Sequence, residues 1–331
     1  MARPHLAKMP FSSSPTSFQR HPRERFPPLI PRGAARPRIR DKLSTVPTTL
    51  EDLVFRNGSI EIHAVASGPP DAPLAILLHG FPEFWYSWHR QIAPLADAGL
   101  RVIIPDQRGY NTSSKPRGAA NYSMPHLVSD VLAIADQLNA EKFFLAGHDW
   151  GAAVAWITAL LHPQRVAKLA ILNVPHPSVM VRYLRSNLRQ IRRSWYMFLL
   201  QLPMLPEAVF SVFNFRFGVR ALVDSSRPGT FSPDDLAQYR AAWSQPGALT
   251  ASMNWYRAAF RHSRKFPDSK VHVPTRILWG ERDAFLLSSM AHDSLRYCDS
   301  GELYTFANAS HWLQHEEPNR VSQLLIDFFR L

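Results

Sequence analysis

Cysteine is almost missing from this sequence. The one copy, Cys298, has no partner within the chain, so an intrachain disulfide is excluded. The scarcity of cysteine favours a reducing compartment, and we therefore predict a cytoplasmic location. The sequence also lacks an apolar run long enough to cross a membrane as a helix.

Acidic residues are scarce in the first part of the chain. Residues 1–47 carry ten basic side chains and two acidic ones, so this segment holds +8 of the formal net charge of +12. The rest of the chain carries only +4, and its charge therefore gives no reason to expect nucleic acid as a partner. Many prolines and a lack of hydrophobic periodicity predict that residues 1–47 form a disordered tail.

The charge of this tail allows two interpretations. An arginine-rich, acid-poor N-terminus is typical of a transit peptide, which would direct the protein to an organelle. The plainer interpretation is a solvated extension, or a segment upstream of the true start of translation, and we favour it.

The rest of the chain has enough apolar side chains for a large core, because 46% of the sequence is hydrophobic. Up to Pro175, apolar runs of strand length alternate with helical patterns. We predict a hairpin around Asn57-Gly58 and a helix over Pro125–Leu138. Further strands are predicted at Ala75–Leu78, Val102–Ile104, Phe143–Ala146 and Val166–Val174. This alternation predicts an α/β fold whose mostly parallel sheet is covered by helices on both faces.

The pattern changes after Pro175. Residues 176–268 are helical in pattern and rich in aromatic side chains, and no strand pattern of comparable strength occurs there. The alternation then resumes, with strands at Thr275–Gly280 and Glu302–Phe306 and a final helix over Asn319–Phe329. We therefore predict that residues 48–175 and 269–331 form one core into which a helical cap is inserted.

The chemistry centres on the sequence Gly147-His-Asp-Trp-Gly151. It lies between a predicted strand and a helix, and its glycines leave room for a sharp turn. Such a turn pushes Asp149 out of the sheet, beside the free N–H groups of the helix N-terminus. This is the arrangement of a nucleophile elbow, with aspartate in the place of the usual serine. The alternative is that Asp149 only caps the helix.

An aspartate nucleophile favours a particular reaction. The side chain is already an anion at neutral pH. It attacks carbonyl groups poorly, but it can displace a leaving group from a saturated carbon. The product is an ester on Asp149, which water must then cleave.

Two further side chains follow predicted strands in the order acid, then histidine, which is the order of a hydrolase triad. We predict that His311 is the general base for ester hydrolysis and that Asp283 orients His311. The backbone N–H groups of Phe81 and Trp150 are the predicted oxyanion hole. The alternatives are a turn aspartate, a helix-cap or core histidine, and a tight turn at His79–Pro82 with a cis Phe81-Pro82 bond.

Several motifs resemble the epoxide hydrolases of the α/β-hydrolase superfamily, from about residue 50 to the C-terminus. In the core they are His79–Trp88, Asp106–Tyr110 and Gly147–Gly151, and in the cap they are Tyr196–Pro203 and Met253–Arg257. The resemblance implies an α/β-hydrolase fold. It also implies a hydrolase that converts a small-molecule epoxide and water to a vicinal diol, without a metal or cofactor. A homodimer is left open.

By the same resemblance, Tyr196 and Tyr256 point at the nucleophile and donate hydrogen bonds to the epoxide oxygen. A tyrosine, with a pKa near 10, keeps its proton at neutral pH and can neutralise the alkoxide that leaves. The alternative is that both are ordinary cap tyrosines. Two positions depart from the family pattern: Ser310 replaces a frequent glycine, and the place of an earlier acid is near Asn173, which has no carboxylate.

Two other functions fit these residues less well. A dehalogenase would use the same aspartate chemistry, but haloalkane dehalogenases tend to have asparagine where this chain has Phe81. Fluoroacetate dehalogenases have arginines where this chain has Trp150 and Ala153. A non-catalytic ligand-binding protein on this fold would not need the complete set of catalytic groups.

The cap gives two further expectations. Its aromatic residues favour apolar aryl or alkyl epoxides. Five arginines recur there at near-helical spacing and predict a solvated helix face rather than an anion site: Arg182, Arg185, Arg189, Arg192 and Arg193.

Overall fold

A computed structural model describes residues 50–262 and 269–330. The predicted tail at residues 1–47 lies outside these ranges. Within them, eight strands form a single sheet. The strands run over Glu51–Asn57 (β1), Ile60–Ser67 (β2), Leu74–Leu78 (β3), Arg101–Pro105 (β4), Phe143–His148 (β5), Val166–Leu172 (β6), Thr275–Gly280 (β7) and Gly301–Phe306 (β8).

The sheet has the order β1-β2-β4-β3-β5-β6-β7-β8. The predicted hairpin is present, since β1 and β2 pair antiparallel through Asn57 and Ile60. Strand β2 also pairs antiparallel with β4, and all pairs from β4 to β8 are parallel. Every residue of β3, β4 and β5 is buried, as expected for parallel strands covered on both faces. The predicted mostly parallel sheet is confirmed.

Twelve α-helices accompany the sheet in the described residues. They run over His89–Asp97 (α1), Met124–Gln137 (α2), Trp150–Leu161 (α3), Pro177–Ser186 (α4), Leu188–Arg193 (α5), Trp195–Leu199 (α6), Leu205–Ser225 (α7), Pro233–Trp243 (α8), Ala248–Arg261 (α9), Ser289–Leu295 (α10), Leu313–Glu316 (α11) and Pro318–Phe329 (α12). Helices α2, α3 and α10 bury apolar side chains in one core cluster. Helices α1 and α12 do so in a second cluster, so the sheet is covered on both faces. No helix in these ranges is long and apolar enough to cross a membrane.

Residues 176–262, which we call the cap, hold α4 to α9 and lie between β6 and β7 in the chain. Helix α7 is interrupted at Phe213, Asn214 and Phe215, whose φ angles of +51° to +60° are left-handed. A buried contact fixes α9 to the core, because the indole Nε1–H of Trp255 donates to the backbone oxygen of Arg108 at 2.9 Å. Tyr256, the next residue of α9, is thereby tied to the core.

Candidate active site

Asp149 lies in a sharp turn between β5 and α3, as the sequence predicts. Its φ of +49° and ψ of −123° are rare for a residue with a side chain. The close approach of strand and helix requires the flanking glycines. A Cβ atom on Gly147 would lie 2.5 Å from the backbone oxygen of Gly151, and one on Gly151 would lie 2.4 Å from that of Leu78. The Asp149 side chain makes no cap hydrogen bond to α3, so it is free for another use.

The carboxylate of Asp149 faces a histidine and a backbone N–H group. Its Oδ1 accepts a hydrogen bond from Phe81 N at 2.8 Å, and its Oδ2 lies 3.5 Å from Nε2 of His311. Burial raises the pKa of Asp149, but the hydrogen bond and charge of His311 outweigh burial and bring the pKa below its usual value. The side chain is therefore an anion at neutral pH.

His311, which faces this carboxylate, is paired with Asp283. Nδ1 of His311 lies 2.7 Å from Oδ2 of Asp283, and both side chains are buried. The other oxygen of Asp283 accepts backbone N–H bonds from Phe285 and Leu286. Burial lowers the pKa of His311, but the charge of Asp283 and the hydrogen bond to Asp149 outweigh it and raise the pKa to about 10. His311 is therefore a cation between two carboxylates at neutral pH.

The two predicted oxyanion donors are both close to Asp149. Phe81 N already donates to Asp149, as described above. Trp150 is the first residue of α3, so its N–H has no acceptor within the helix. The Phe81-Pro82 peptide bond is cis, and Glu83 N donates to Gly80 O at 3.0 Å, which closes a tight turn.

The two cap tyrosines contact each other in the structure. Tyr196 on α6 and Tyr256 on α9 have ring centroids 6.1 Å apart at an angle of 77°. Burial raises the pKa of Tyr196, and the negative charge of Asp149 raises it further. Burial also raises the pKa of Tyr256, with smaller contributions from Tyr196 and Asp149. Both hydroxyl groups therefore keep their protons at neutral pH.

These residues share a cavity of about 930 Å³ with Asp149 and Trp150. Its walls are largely apolar and include Ile157, Val174, Met180 and Leu286. Among residues 50–262 and 269–330, no cluster of histidine, cysteine and carboxylate side chains is arranged to hold a metal ion.

Comparisons with known proteins find similarity over most of the chain. Residues 73–318 match the family model of the α/β hydrolase fold. The chain is 36% identical to epoxide hydrolase 4 of Homo sapiens over 83% of this chain and 77% of that one. It is 44% identical to the AB hydrolase superfamily protein YfhM of Bacillus subtilis, over 84% of this chain and 96% of that one.

Solved structures of epoxide hydrolases are also similar to this chain. An epoxide hydrolase from Bacillus megaterium, solved with an inhibitor, superposes with a TM-score of 0.76 at 30% identity, covering 83% of this chain and 99% of that one. This chain is a member of the epoxide hydrolase family. Its α/β-hydrolase fold is confirmed, and it is a hydrolase.

In this member of the epoxide hydrolase family, the structure reveals contacts of a buried carboxylate, Glu83, whose role the motif His79–Trp88 does not indicate. Glu83 lies 2.8 Å from His148 Nδ1 and 2.8 Å from His315 Nε2, and it accepts a hydrogen bond from Tyr239 of α8 at 3.1 Å. Nε2 of His148 lies 2.8 Å from the backbone oxygen of His311. Burial raises the pKa of Glu83, but the charge of His148 outweighs it and lowers the pKa, so Glu83 is an anion.

One amide group and one guanidinium group hold Asp283 in place. Asn173 follows β6, at the place where the sequence showed only that an acid is lacking. Its Nδ2 donates to Asp283 Oδ2 at 2.8 Å. Its own oxygen accepts from Gly280 N at 3.1 Å. Arg193 donates to the backbone oxygen of Asp283 at 2.8 Å, so the prediction that Arg193 belongs to a solvated face is wrong. The sequence carries no signal for these contacts, because the partners are about 90 to 110 residues apart.

Proposed function

We propose that this protein hydrolyses apolar epoxides to vicinal diols through an ester on Asp149. The observation that supports this most is that a carboxylate and two protonated tyrosine hydroxyl groups line one apolar cavity. Relatives that match most of the chain are named epoxide hydrolases. The predicted site residues are Asp149, Asp283, His311, Tyr196 and Tyr256, with the N–H groups of Phe81 and Trp150.

In the first step, a carboxylate oxygen of Asp149 attacks a ring carbon, and the bond between that carbon and the ring oxygen breaks. Tyr196 or Tyr256 donates its proton to the oxygen that leaves. The products are a hydroxyalkyl ester and a tyrosinate. The ester no longer carries the negative charge of Asp149, so the pKa of His311 falls and His311 can give its proton to the tyrosinate.

In the second step, neutral His311 takes a proton from water, and the hydroxide adds to the ester carbonyl. The N–H groups of Phe81 and Trp150 stabilise the oxyanion. The intermediate then expels the diol oxygen and leaves Asp149 as a carboxylic acid. The diol oxygen takes the proton of this acid, so the carboxylate of Asp149 forms again. His311 ends the cycle as a cation, held by Asp283 as it was at the start.

The experiment is a trapping reaction with a His311→Gln variant. We expect mass spectrometry to show Asp149 heavier by the mass of one epoxide, because the ester forms but is not cleaved. The matched control is Asp149→Asn, which should gain no mass. An unmodified His311→Gln protein, under conditions in which the wild type forms diol, would contradict the covalent route.

The same preparations separate the two halogen alternatives from epoxide hydrolysis. Wild-type protein is incubated with epoxides and with haloalkanes or haloacids of similar size, and diol and halide are measured. We expect diol without halide release. The cytoplasmic location stays a prediction, and a homodimer stays open.

A further inference from the structure

The cap carries an unusual amount of exposed apolar surface. Of fifteen large apolar side chains that are exposed in the described residues, thirteen belong to the cap, which makes up less than a third of those residues. The most exposed are Met204 and Phe213, each 78% accessible, and Leu188 at 75%. Trp195 and Phe198 are also more than half accessible. Exposed apolar side chains grouped in this way indicate an interaction surface.

The cap is also the basic part of the folded chain. Residues 176–262 contain eleven arginines and four acidic residues, a net charge of +7. Residues 48–175 and 263–331 together contain 17 basic and 20 acidic residues, a net charge of −3. Arg189 and Arg192 lie on α5 next to the exposed apolar residues, and both are exposed. In the described part of the chain, neither side chain forms an ion pair.

The cavity opens on this same surface. Val181 and Phe260 line the cavity, and both side chains are almost half exposed. The ring of Phe260 lies 5.6 Å from that of Phe198. The apolar surface of the cap is therefore continuous with the entrance to the active site.

We propose that the cap docks on the surface of an anionic lipid bilayer through α5, α6 and the start of α7. Exposed Trp, Phe and Leu side chains insert between headgroups, while the arginines attract anionic lipid. The charge argues against the nearest alternatives. A second copy of the chain would bring its own positively charged cap to the surface. Residues 1–47 carry +8, so they would also be repelled by the arginines. Nucleic acid would match the arginines, but aliphatic residues such as Leu188 and Met204 have no counterpart on it.

Docking in this position does not depend on the proposed function, but it would serve that function. Apolar epoxides partition into bilayers, and the cavity entrance would then face the phase in which they are dissolved. The test below measures binding only, so its failure would leave the epoxide hydrolase activity untouched.

The first experiment is vesicle flotation of the full chain at low salt. We compare phosphatidylcholine vesicles with and without phosphatidylglycerol, and we expect binding only with the anionic lipid. The double variant Arg189→Glu/Arg192→Glu should reduce the bound fraction by about tenfold or more. The matched control is Arg117→Glu/Lys142→Glu, which changes the net charge equally at exposed positions of the core and should bind nearly as the wild type does. Equal losses in both variants would overturn the proposal, because binding would then follow net charge alone.

The second experiment tests insertion. Lipids brominated in their acyl chains should quench part of the tryptophan fluorescence of the wild type, and Trp195→Phe should remove that quenching. Leu188→Ser/Trp195→Ser should weaken flotation severalfold. Val54→Ser/Leu161→Ser, at exposed positions outside the cap, should not. Unchanged thermal unfolding checks that each variant is folded. A stable dimer in solution that Leu188→Ser/Trp195→Ser dissociates would overturn the proposal, since a second copy would then cover the surface.

Discussion

At the scale of single residues, the tyrosine hydroxyl groups separate epoxide chemistry from displacement of a halide. Tyr196 and Tyr256 share one cavity with Asp149, so the loss of one hydroxyl leaves a donor in place. We expect each single Tyr→Phe variant to slow ester formation by about ten- to a thousandfold, or about 1.4–4 kcal/mol. The double variant should be almost inactive on epoxides, because the alkoxide then leaves without a proton.

Stopped-flow kinetics of ester formation, followed with each variant in excess over epoxide, measures this effect. Hydrolysis of an ester already formed should change less, since His311 governs that step. The rings remain in every variant, so thermal unfolding should be nearly unchanged. Ester formation at the wild-type rate in the double variant would show that the tyrosines are structural.

The second prediction at this scale concerns pH. The pKa of His311 in the folded protein is raised to about 10, whereas an unfolded histidine titrates near pH 6.5. Below about pH 6.5 both states are protonated, and the stabilising contribution of His311 is complete. As pH rises toward 10 the unfolded state releases the proton first, so this contribution is progressively lost.

Urea denaturation at a series of pH values from 6 to 10 should therefore show a falling free energy of unfolding. In Asp149→Asn one of the two carboxylates beside His311 is removed, so the folded pKa drops and the decline should end at a lower pH. Identical profiles for the two proteins would show that Asp149 does not hold the charge of His311.

At the scale of secondary-structure elements, Glu83 joins the loop after β3 to α8 and to the helical turn α11 through Tyr239 and His315. Removing one member of a buried ionic cluster leaves its partners unpaired. We expect Glu83→Ala to lower the free energy of unfolding by about 3–5 kcal/mol. The matched control is Glu61→Ala, at an exposed pair with Arg56, which should cost about 1 kcal/mol or less. Chemical denaturation measures both values, and similar losses would contradict a special role for Glu83.

The elements themselves were largely predictable from the sequence, because their signals are local. Runs of three to nine residues indicated the strands, and Asn57-Gly58 indicated the hairpin. The interruption of α7 at Phe213 to Phe215 was not predictable, since none of these residues is a glycine or a proline. The supports of the site were missed for a related reason. Glu83 and His315 are 232 residues apart, so only the folded chain reveals their contact.

At the scale of the whole molecule, residues 1–47 are predicted to be dispensable for the reaction. They carry charge and proline rather than periodic apolar residues, so they offer little surface to bury against a core. Deleting residues 1–47 should leave kcat/KM for an epoxide and the thermal unfolding temperature nearly unchanged. A truncated protein that aggregates, or that loses most of its activity, would refute this.

The size of the active-site cavity has a consequence for stereochemistry. At about 930 Å³ it lies near the upper end of the range of roughly 300–1,000 Å³ for small-molecule sites. A short epoxide would be held only at its ring, by Asp149 and the tyrosines, and either mirror image could present a carbon to the carboxylate. A longer alkyl chain would reach walls formed by residues such as Met180 and Leu286, which distinguish the two hands of the ring. The enantiomeric ratio should therefore rise with chain length in a series of terminal epoxides. A constant ratio would mean that contacts to the epoxide ring alone determine the enantioselectivity.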